Sequence, residues 1–381
     1  MADPPRNLSQ FAMAMMLLAG GIVPGRLGET LRGQGKSRAD IEQMERGYYE
    51  HLLDDGRRLD SIGSASATPP PPPFKDGPLA IKVLDLRECV LVPGLIAEHQ
   101  GATWSTNSLG LRDREYPTTK APETRRILLL GDSIGVGWGV DDDNGFEPVL
   151  ERSLGAAAVS SGGPAVELLN LSVPGYAPGQ RREHLERLGW SLQPDAILFQ
   201  ATGADLAWDE RRLRVLLPIG IGWNSPAYRP LLDRAGLRPG MDADLIKRRL
   251  RPLRWEILEG VYQALAADAR RRGVPVVWVL LPRVGRPLAK AEREGLLTMA
   301  RQAGFSAVLD LSDTFDGLDP QSLAIGPDDY HPNGLGHALI ARRLEAALID
   351  DLDLRPFWAG DPSAIHQQPS QPLGQRGRHA D

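Results

Sequence analysis

The sequence predicts an α/β protein, a three-layer α/β/α sandwich built on about five parallel strands. Short β-branched or leucine-rich runs lie at 126–130 (RILLL), 167–173 (ELLNLSV), 195–201 (DAILFQA), 275–281 (PVVWVLL) and 306–311 (SAVLDL). Helical stretches separate them, notably 178–192, 253–272, 287–303 and 333–350. Nearly continuous apolar strands with helices between them belong to a parallel sheet covered on both faces. Such sheets place their sites at the carboxyl ends of the strands, which tells where chemistry is to be sought.

The remainder of the chain is organised around that region. Residues 11–24 (FAMAMMLLAGGIVP) are apolar, flanked by Arg6 and Arg26, and shorter than the roughly 20 residues that cross a bilayer. Two glycines and a proline interrupt the run, and no clean small-x-small site follows, so it fits an export signal poorly. A buried or membrane-associated helix and an export signal both stay open. Residues 37–55 read as an amphipathic helix: Ser37 caps it with Asp40 three residues on, Ile41, Met44, Tyr48, Leu52 and Leu53 share a face, and Gly56 stops it. Residues 61–78, small and polar and then five prolines, form a stiff extended linker. The expected organisation is therefore an N-terminal apolar segment and helix (1–60), a linker (61–78), a small irregular or β extension (79–125), the α/β domain (126–351) and a disordered tail rich in Gln, Pro and Gly (352–381).

Composition narrows the function classes. With 42% apolar and 24% charged residues over 381 positions, the chain buries a real core. A net charge of −5 without a Lys/Arg run leaves no footprint for nucleic acid. The single cysteine, Cys89, has no partner for an internal disulfide or a Cys-based zinc site.

The first strand runs straight into Gly131-Asp132-Ser133. The triplet alone is a weak signal, and a helix cap is its bland reading. At the carboxyl end of the first parallel strand, however, a serine stands where a nucleophile belongs, and the glycine lets the backbone turn sharply. A serine hydroxyl needs a base to take its proton. Of seven histidines, His51, His99, His184, His366 and His379 lie in the N-terminal helix, an irregular segment, a helical run and the tail. His331 and His337 remain, in DDYHPNGLGHALIARRLEAAL after the last strand, and His331 is on the loop side of the helix start. Asp328 and Asp329 precede it by three and two positions, close enough for one carboxylate to hold the imidazole tautomer.

Four segments resemble the sequence blocks of the GDSL/SGNH hydrolase superfamily, in order. RRILLLGDSIGVGWGV resembles the first block, with Ser133 as nucleophile. LLNLSVPGYAPGQ resembles the second, whose glycine, here Gly175, gives a backbone N–H to the oxyanion beside that of Ser133. LFQATGADLAWD falls at the third, and DDYHPNGLGH resembles the last, an Asp-x-x-His-Pro pattern that gives Asp328 and His331, with Asp329 as second choice. TWSTNSLGLRDREY is similar to a segment that precedes the catalytic domain in bacterial members tied to cell-surface polymers. The resemblance covers about residues 104–350 and implies a flavodoxin-like sandwich, an acyl-serine mechanism and no metal or organic cofactor.

The third block departs from the family pattern Gly-x-Asn-Asp, whose asparagine donates to the oxyanion. Here stand Thr202-Gly203-Ala204-Asp205. Matching aspartates puts Ala204 at the donor position; matching glycines puts Asp205 there, where a carboxylate repels an oxyanion. Thr202 is a third candidate substitute. Loss of such a donor costs about 10²–10³ in rate. GVGWG at 135–139 and GQGKS at 33–37 miss the dinucleotide and phosphate-loop patterns at Val140 and Thr30. Trp190, Trp223 and Trp278 read as core, and Trp138 and Trp208 as alternatives for pocket walls.

Three functions follow as expectations: an esterase of O-acyl groups, O-acetylated carbohydrate first; an O-acyltransferase modifying a cell-surface polysaccharide; and a non-catalytic binding module on the same scaffold. The expected partner is a small-molecule or carbohydrate ester, with membrane association through residues 11–24 and an exported or membrane-associated place favoured over a cytoplasmic one.

Overall fold

A computed structural model of the chain describes residues 74–327, 329–350 and 354–359. The apolar segment 11–24, the helix expected over 37–55 and the five prolines of the linker lie outside the described residues. Phe74–Asp76, from the linker's end, form one 3-10 turn. The extension consists of two antiparallel hairpins, β1 (Ala80–Lys82) with β2 (Cys89–Leu91) and β3 (Ile96–His99) with β4 (Ala102–Ser105).

Five parallel strands follow: β5 (Thr124–Leu130), β6 (Ala165–Asn170), β7 (Ala196–Ala201), β8 (Val276–Leu280) and β9 (Ala307–Asp310), in the order β6-β5-β7-β8-β9. Each of the five apolar runs read from the sequence is one of these strands. After β5 come α1 (Ser133–Val136) and α2 (Phe146–Ser160); after β6, α3 (Pro178–Arg187). After β7 come α4 (Asp205–Leu216), α5 (Arg229–Arg234), α6 (Ala243–Leu250) and α7 (Arg254–Arg271). After β8 comes α8 (Lys290–Ala303), and after β9 come α9 (Pro320–Leu323), α10 (Gly334–Asp350) and α11 (Arg355–Ala359).

Alternation along the strands divides the core in two. Leu128 and Leu130 of β5 join Ile197, Phe199 and Ala201 of β7 and the apolar faces of α7 and α8, including Ile257, Val261 and Leu296. Ile127 and Leu129 point the other way, with Ala196 and Leu198, onto Leu150 and Leu154 of α2 and Ile340 and Leu344 of α10. Because each buried leucine or isoleucine contributes about 1.5–3 kcal/mol, both faces pin the register. A one-residue slip would exchange the two sets. The order places β5 inside the sheet, second from the edge, with β6 and β7 on opposite sides, so the chain reverses its winding direction beside the end of β5. Doubly wound sheets bind ligands at that point.

The tail differs from the expectation of disorder where it is described. Leu354, Phe357 and Trp358 are buried, the Trp358 indole N–H donates to the Leu348 carbonyl (2.8 Å), and Arg125 Nε donates to the Phe357 carbonyl (2.9 Å). A window average dominated by Gln, Pro and Gly hides two adjacent aromatic rings that suffice to dock one turn of helix. No described helix is long and apolar enough to cross a membrane.

Candidate active site

Ser133 is the first residue of α1, directly after β5, and is buried. Asp132 caps this helix, its carboxylate accepting the Ile134 N–H at 2.9 Å. Gly131 does not take up a left-handed backbone; space is what requires it. A Cβ there would lie 2.3 Å from Gln200 Oε1 and 2.5 Å from Ser172 Oγ. The sharp turn expected of Gly131 is thus a close approach of three segments. At Gly175, by contrast, φ is +75°, a conformation costly for any residue with a Cβ.

His331 reaches the serine from the far end of the sheet. Its Nε2 lies 2.8 Å from Ser133 Oγ, and its Nδ1 lies 2.7 Å from Asp329 Oδ1, which also accepts the His331 backbone N–H at 2.8 Å. The loop is held on both sides. Ile325 N–H donates to the His331 carbonyl and Val284 N–H to the Tyr330 carbonyl. Asn333 donates through Nδ2 to the Ser322 carbonyl (2.9 Å), while its Oδ1 accepts the Leu335 and Gly336 N–H groups at the start of α10. Tyr330 packs against the imidazole with ring centroids 4.3 Å apart. The carboxylate against Nδ1 is that of Asp329, the second choice from the sequence; Asp328, the first, lies outside the described residues. Two positions of spacing let one aspartate oxygen accept both the ring and the backbone N–H of the same histidine.

His337 is a separate case. It is fully buried, Nδ1 accepts the Phe146 N–H at 3.2 Å, and the ring stacks on Phe146. Burial, aided by His331 and Arg112, pushes its pKa down to about 3, so it is neutral over the working range.

In the third block, Asp205 opens α4. It is fully buried and takes both arms of the Arg181 guanidinium at 3.0 Å. That corrects its inclusion among the substitutes for the missing asparagine: both oxygens are committed to an arginine. Burial pushes its pKa up to about 7 against the pull of that arginine. Ala204, immediately before it, is buried and has no side-chain donor. The Thr202 hydroxyl is buried without a hydrogen-bond partner among the described residues. Gly203 packs against Leu288, whose Cδ2 a Cβ would meet at 2.2 Å.

One side of the site is aromatic, with the extension contributing His99. Trp138 lies 6.0 Å from His331 between ring centroids, and His99 and Phe74 lie 4.8 and 5.8 Å from Trp138. Arg112 binds this wall to α1, donating to the carbonyls of Thr103, Val136, Gly137 and Val140 and to Asp142. Trp208 is buried with Arg212 over its ring and Trp278 is core. Arg181 and Arg112 went unnoticed in the sequence, where arginines in polar stretches read as solvated. The signal for Arg181 was a helix with few apolar residues directly after the oxyanion-type glycine. Among the described residues no group of three or more His, Cys, Asp or Glu side chains could hold a metal ion.

A doubly wound sheet with a serine, a histidine and an aspartate in hydrogen-bonded sequence at its carboxyl edge defines a class of α/β hydrolase domains. The chain belongs to the GDSL-like lipase/acylhydrolase family, whose model matches residues 129–339, more than half of its length. It is accordingly a hydrolase acting on ester bonds. No curated protein matches it. Solved structures to which it is similar include TesA (16% identity, TM-score 0.38, covering 58% of this chain and 98% of that one). Others are the psychrotrophic esterase EstA from Pseudoalteromonas sp. (15%, 0.38, 60% and 99%) and a two-domain esterase active on acetylated mannans (14%, 0.41, 67% and 54%).

Proposed function

We propose that this protein hydrolyses O-acyl esters through an acyl-serine intermediate on Ser133, with O-acetylated carbohydrate as the first substrate class. The observation that carries the reading is the chain Ser133 Oγ, His331 Nε2 and Nδ1, Asp329 Oδ1, at 2.8 and 2.7 Å. Ser133 Oγ attacks the ester carbonyl carbon and gives its proton to His331 Nε2. The tetrahedral oxyanion collapses, the carbon–alkoxy bond breaks, and the alkoxy oxygen leaves as alcohol with that proton. Water, deprotonated by His331, then attacks the acyl-serine, releases the acid and restores the hydroxyl.

Asp329 orients the imidazole and stabilises its cationic form, and the N–H groups of Ser133 and Gly175 receive the oxyanion. The carbohydrate preference rests on the resemblance of TWSTNSLGLRDREY to segments of polymer-directed relatives. It is supported by the aromatic wall of Trp138, His99 and Phe74, since flat rings suit the apolar face of a sugar.

A second reading is O-acyl transfer, in which a sugar hydroxyl rather than water attacks the acyl-serine; Ala204 supplies no amide donor to the oxyanion with either acceptor. The test is p-nitrophenyl acetate turnover beside fluorophosphonate labelling and peptide mapping. Esterase action expects turnover and an adduct on Ser133, both lost in Ser133→Ala. Labelling with negligible turnover, relieved by an added sugar acceptor, indicates the transferase. No adduct and no turnover leaves a binding module.

A further inference from the structure

We propose that Arg181 is a positioning residue for this reaction, one guanidinium tying together the three turns that carry the nucleophile and the oxyanion-hole region. The proposal rests on the acyl-serine reading above. An arginine has five N–H donors in a planar fork, and here each has an acceptor. Nε donates to the Tyr176 carbonyl (3.1 Å), Nη1 to the Gln200 carbonyl (2.7 Å) and to Asp205 Oδ2 (3.0 Å), and Nη2 to Asp132 Oδ2 and Asp205 Oδ1 (3.0 Å each).

Those acceptors are placed with respect to the chemistry. Asp132 precedes Ser133, Tyr176 follows Gly175, and Gln200 and Asp205 bracket Thr202–Ala204. Asp132 is doubly held, since Gln200 Nε2 donates to its Oδ1 at 2.6 Å and Gln200 Oε1 accepts its N–H at 3.1 Å. The guanidinium, 1% exposed, spans residues 49 and 24 positions away and touches none of the reacting atoms. A buried ion pair is by itself weak evidence of stabilisation; what distinguishes this one is where its five acceptors lie. Misplacement of catalytic groups by about 1 Å can cost 10²-fold, so the clamp acts on rate through the donors it aligns.

The test uses Arg181→Lys, which keeps the charge but has three donors on one atom, and Asp205→Asn, which keeps the shape but turns one leg of the fork into an N–H facing an N–H. Both are measured with p-nitrophenyl acetate, with thermal unfolding and with a boronic acid that mimics the tetrahedral adduct. The expected result is a kcat lower by about 10- to 100-fold in Arg181→Lys and about tenfold in Asp205→Asn, KM within about twofold, and boronate affinity falling in parallel. A kcat within twofold of wild type in a folded variant, whatever the change in melting temperature, overturns the proposal. Loss of fold in both variants assigns Arg181 to the scaffold and overturns it too. Wild-type protein without turnover or a Ser133 adduct instead removes the acyl-serine reading beneath it.

Discussion

His331 Nε2 stands 2.8 Å from Ser133 Oγ, although 198 positions separate the two residues. The loop between β9 and α10 is what carries the imidazole across the sheet, and Asp329 sets which ring nitrogen bears the proton. With Oδ1 accepting from Nδ1, Nε2 is left as the acceptor that a nucleophilic serine requires. Asp329→Asn puts an amide at that carboxylate and removes its charge. It is expected to lower kcat by about 10²–10⁴-fold with little change in KM, while Asp328→Asn stays within a few-fold. Steady-state kinetics of the two variants decide it: the larger loss in Asp328→Asn would reassign the acid.

The two histidines of the last block separate by experiment. His331→Ala is expected to abolish fluorophosphonate labelling. His337→Ala keeps labelling but melts earlier, because the Phe146 N–H at the start of α2 loses its acceptor and a stacked ring leaves a cavity. These two effects together cost about 2–4 kcal/mol. Labelling stoichiometry and melting curves on both variants read this directly; equal loss of labelling would place the base on the wrong residue.

Ala204→Asn is expected to raise esterase kcat several-fold at nearly constant KM. Asp205 is committed to Arg181, so the prediction takes Asp205 as the counterpart of the family's aspartate and Ala204 as that of its asparagine. A correctly placed amide N–H strengthens as charge grows on the carbonyl oxygen, and that difference lowers the barrier. The full 10²–10³ of a native donor is not expected, since the surrounding side chains are packed around an alanine. A lower rate in a folded, probe-reactive variant means that position 204 faces elsewhere.

A fourth prediction concerns Asp209, whose Oδ1 accepts from the Tyr228 hydroxyl (2.5 Å) and the Gly179 N–H (2.9 Å) while Oδ2 is buried without a hydrogen-bond partner among the described residues. Burial pushes its pKa from an ordinary 3.8 up to about 6, although those two hydrogen bonds pull the other way. The unfolded chain therefore releases this proton before the folded protein does. Stability falls as pH rises from about 4 through 6, and the full penalty holds above. Asp209→Asn keeps both hydrogen bonds and cannot ionise. It should be more stable than wild type at pH 8, by on the order of 2–3 kcal/mol, and no more stable at pH 4. Melting temperatures across pH 4–8 test the crossover, and a pH-independent difference between the two proteins refutes it.

The sequence by itself determined the fold class, and it singled out Ser133 and His331, whose side chains the structure brings to 2.8 Å of each other. Those follow from local rules. An apolar run between helices is a covered parallel strand, and the site lies at its carboxyl end. Spacing alone did not show that Asp329 reaches the imidazole, because that turns on how a loop held by Ile325, Val284 and Asn333 presents its carboxylate. It also left Asp205 among three alternatives and did not foresee the short helix at Phe357 and Trp358, because composition and spacing say nothing of what lies opposite. Tertiary structure decided these points, and it brought Arg181 between Asp132 and Asp205. A polar side chain's role depends on its partners in space, and for Arg181 those partners lie 49 and 24 positions away along the chain. Side-chain periodicity registers which face is apolar; it carries no record of which distant carboxylate a buried guanidinium will meet.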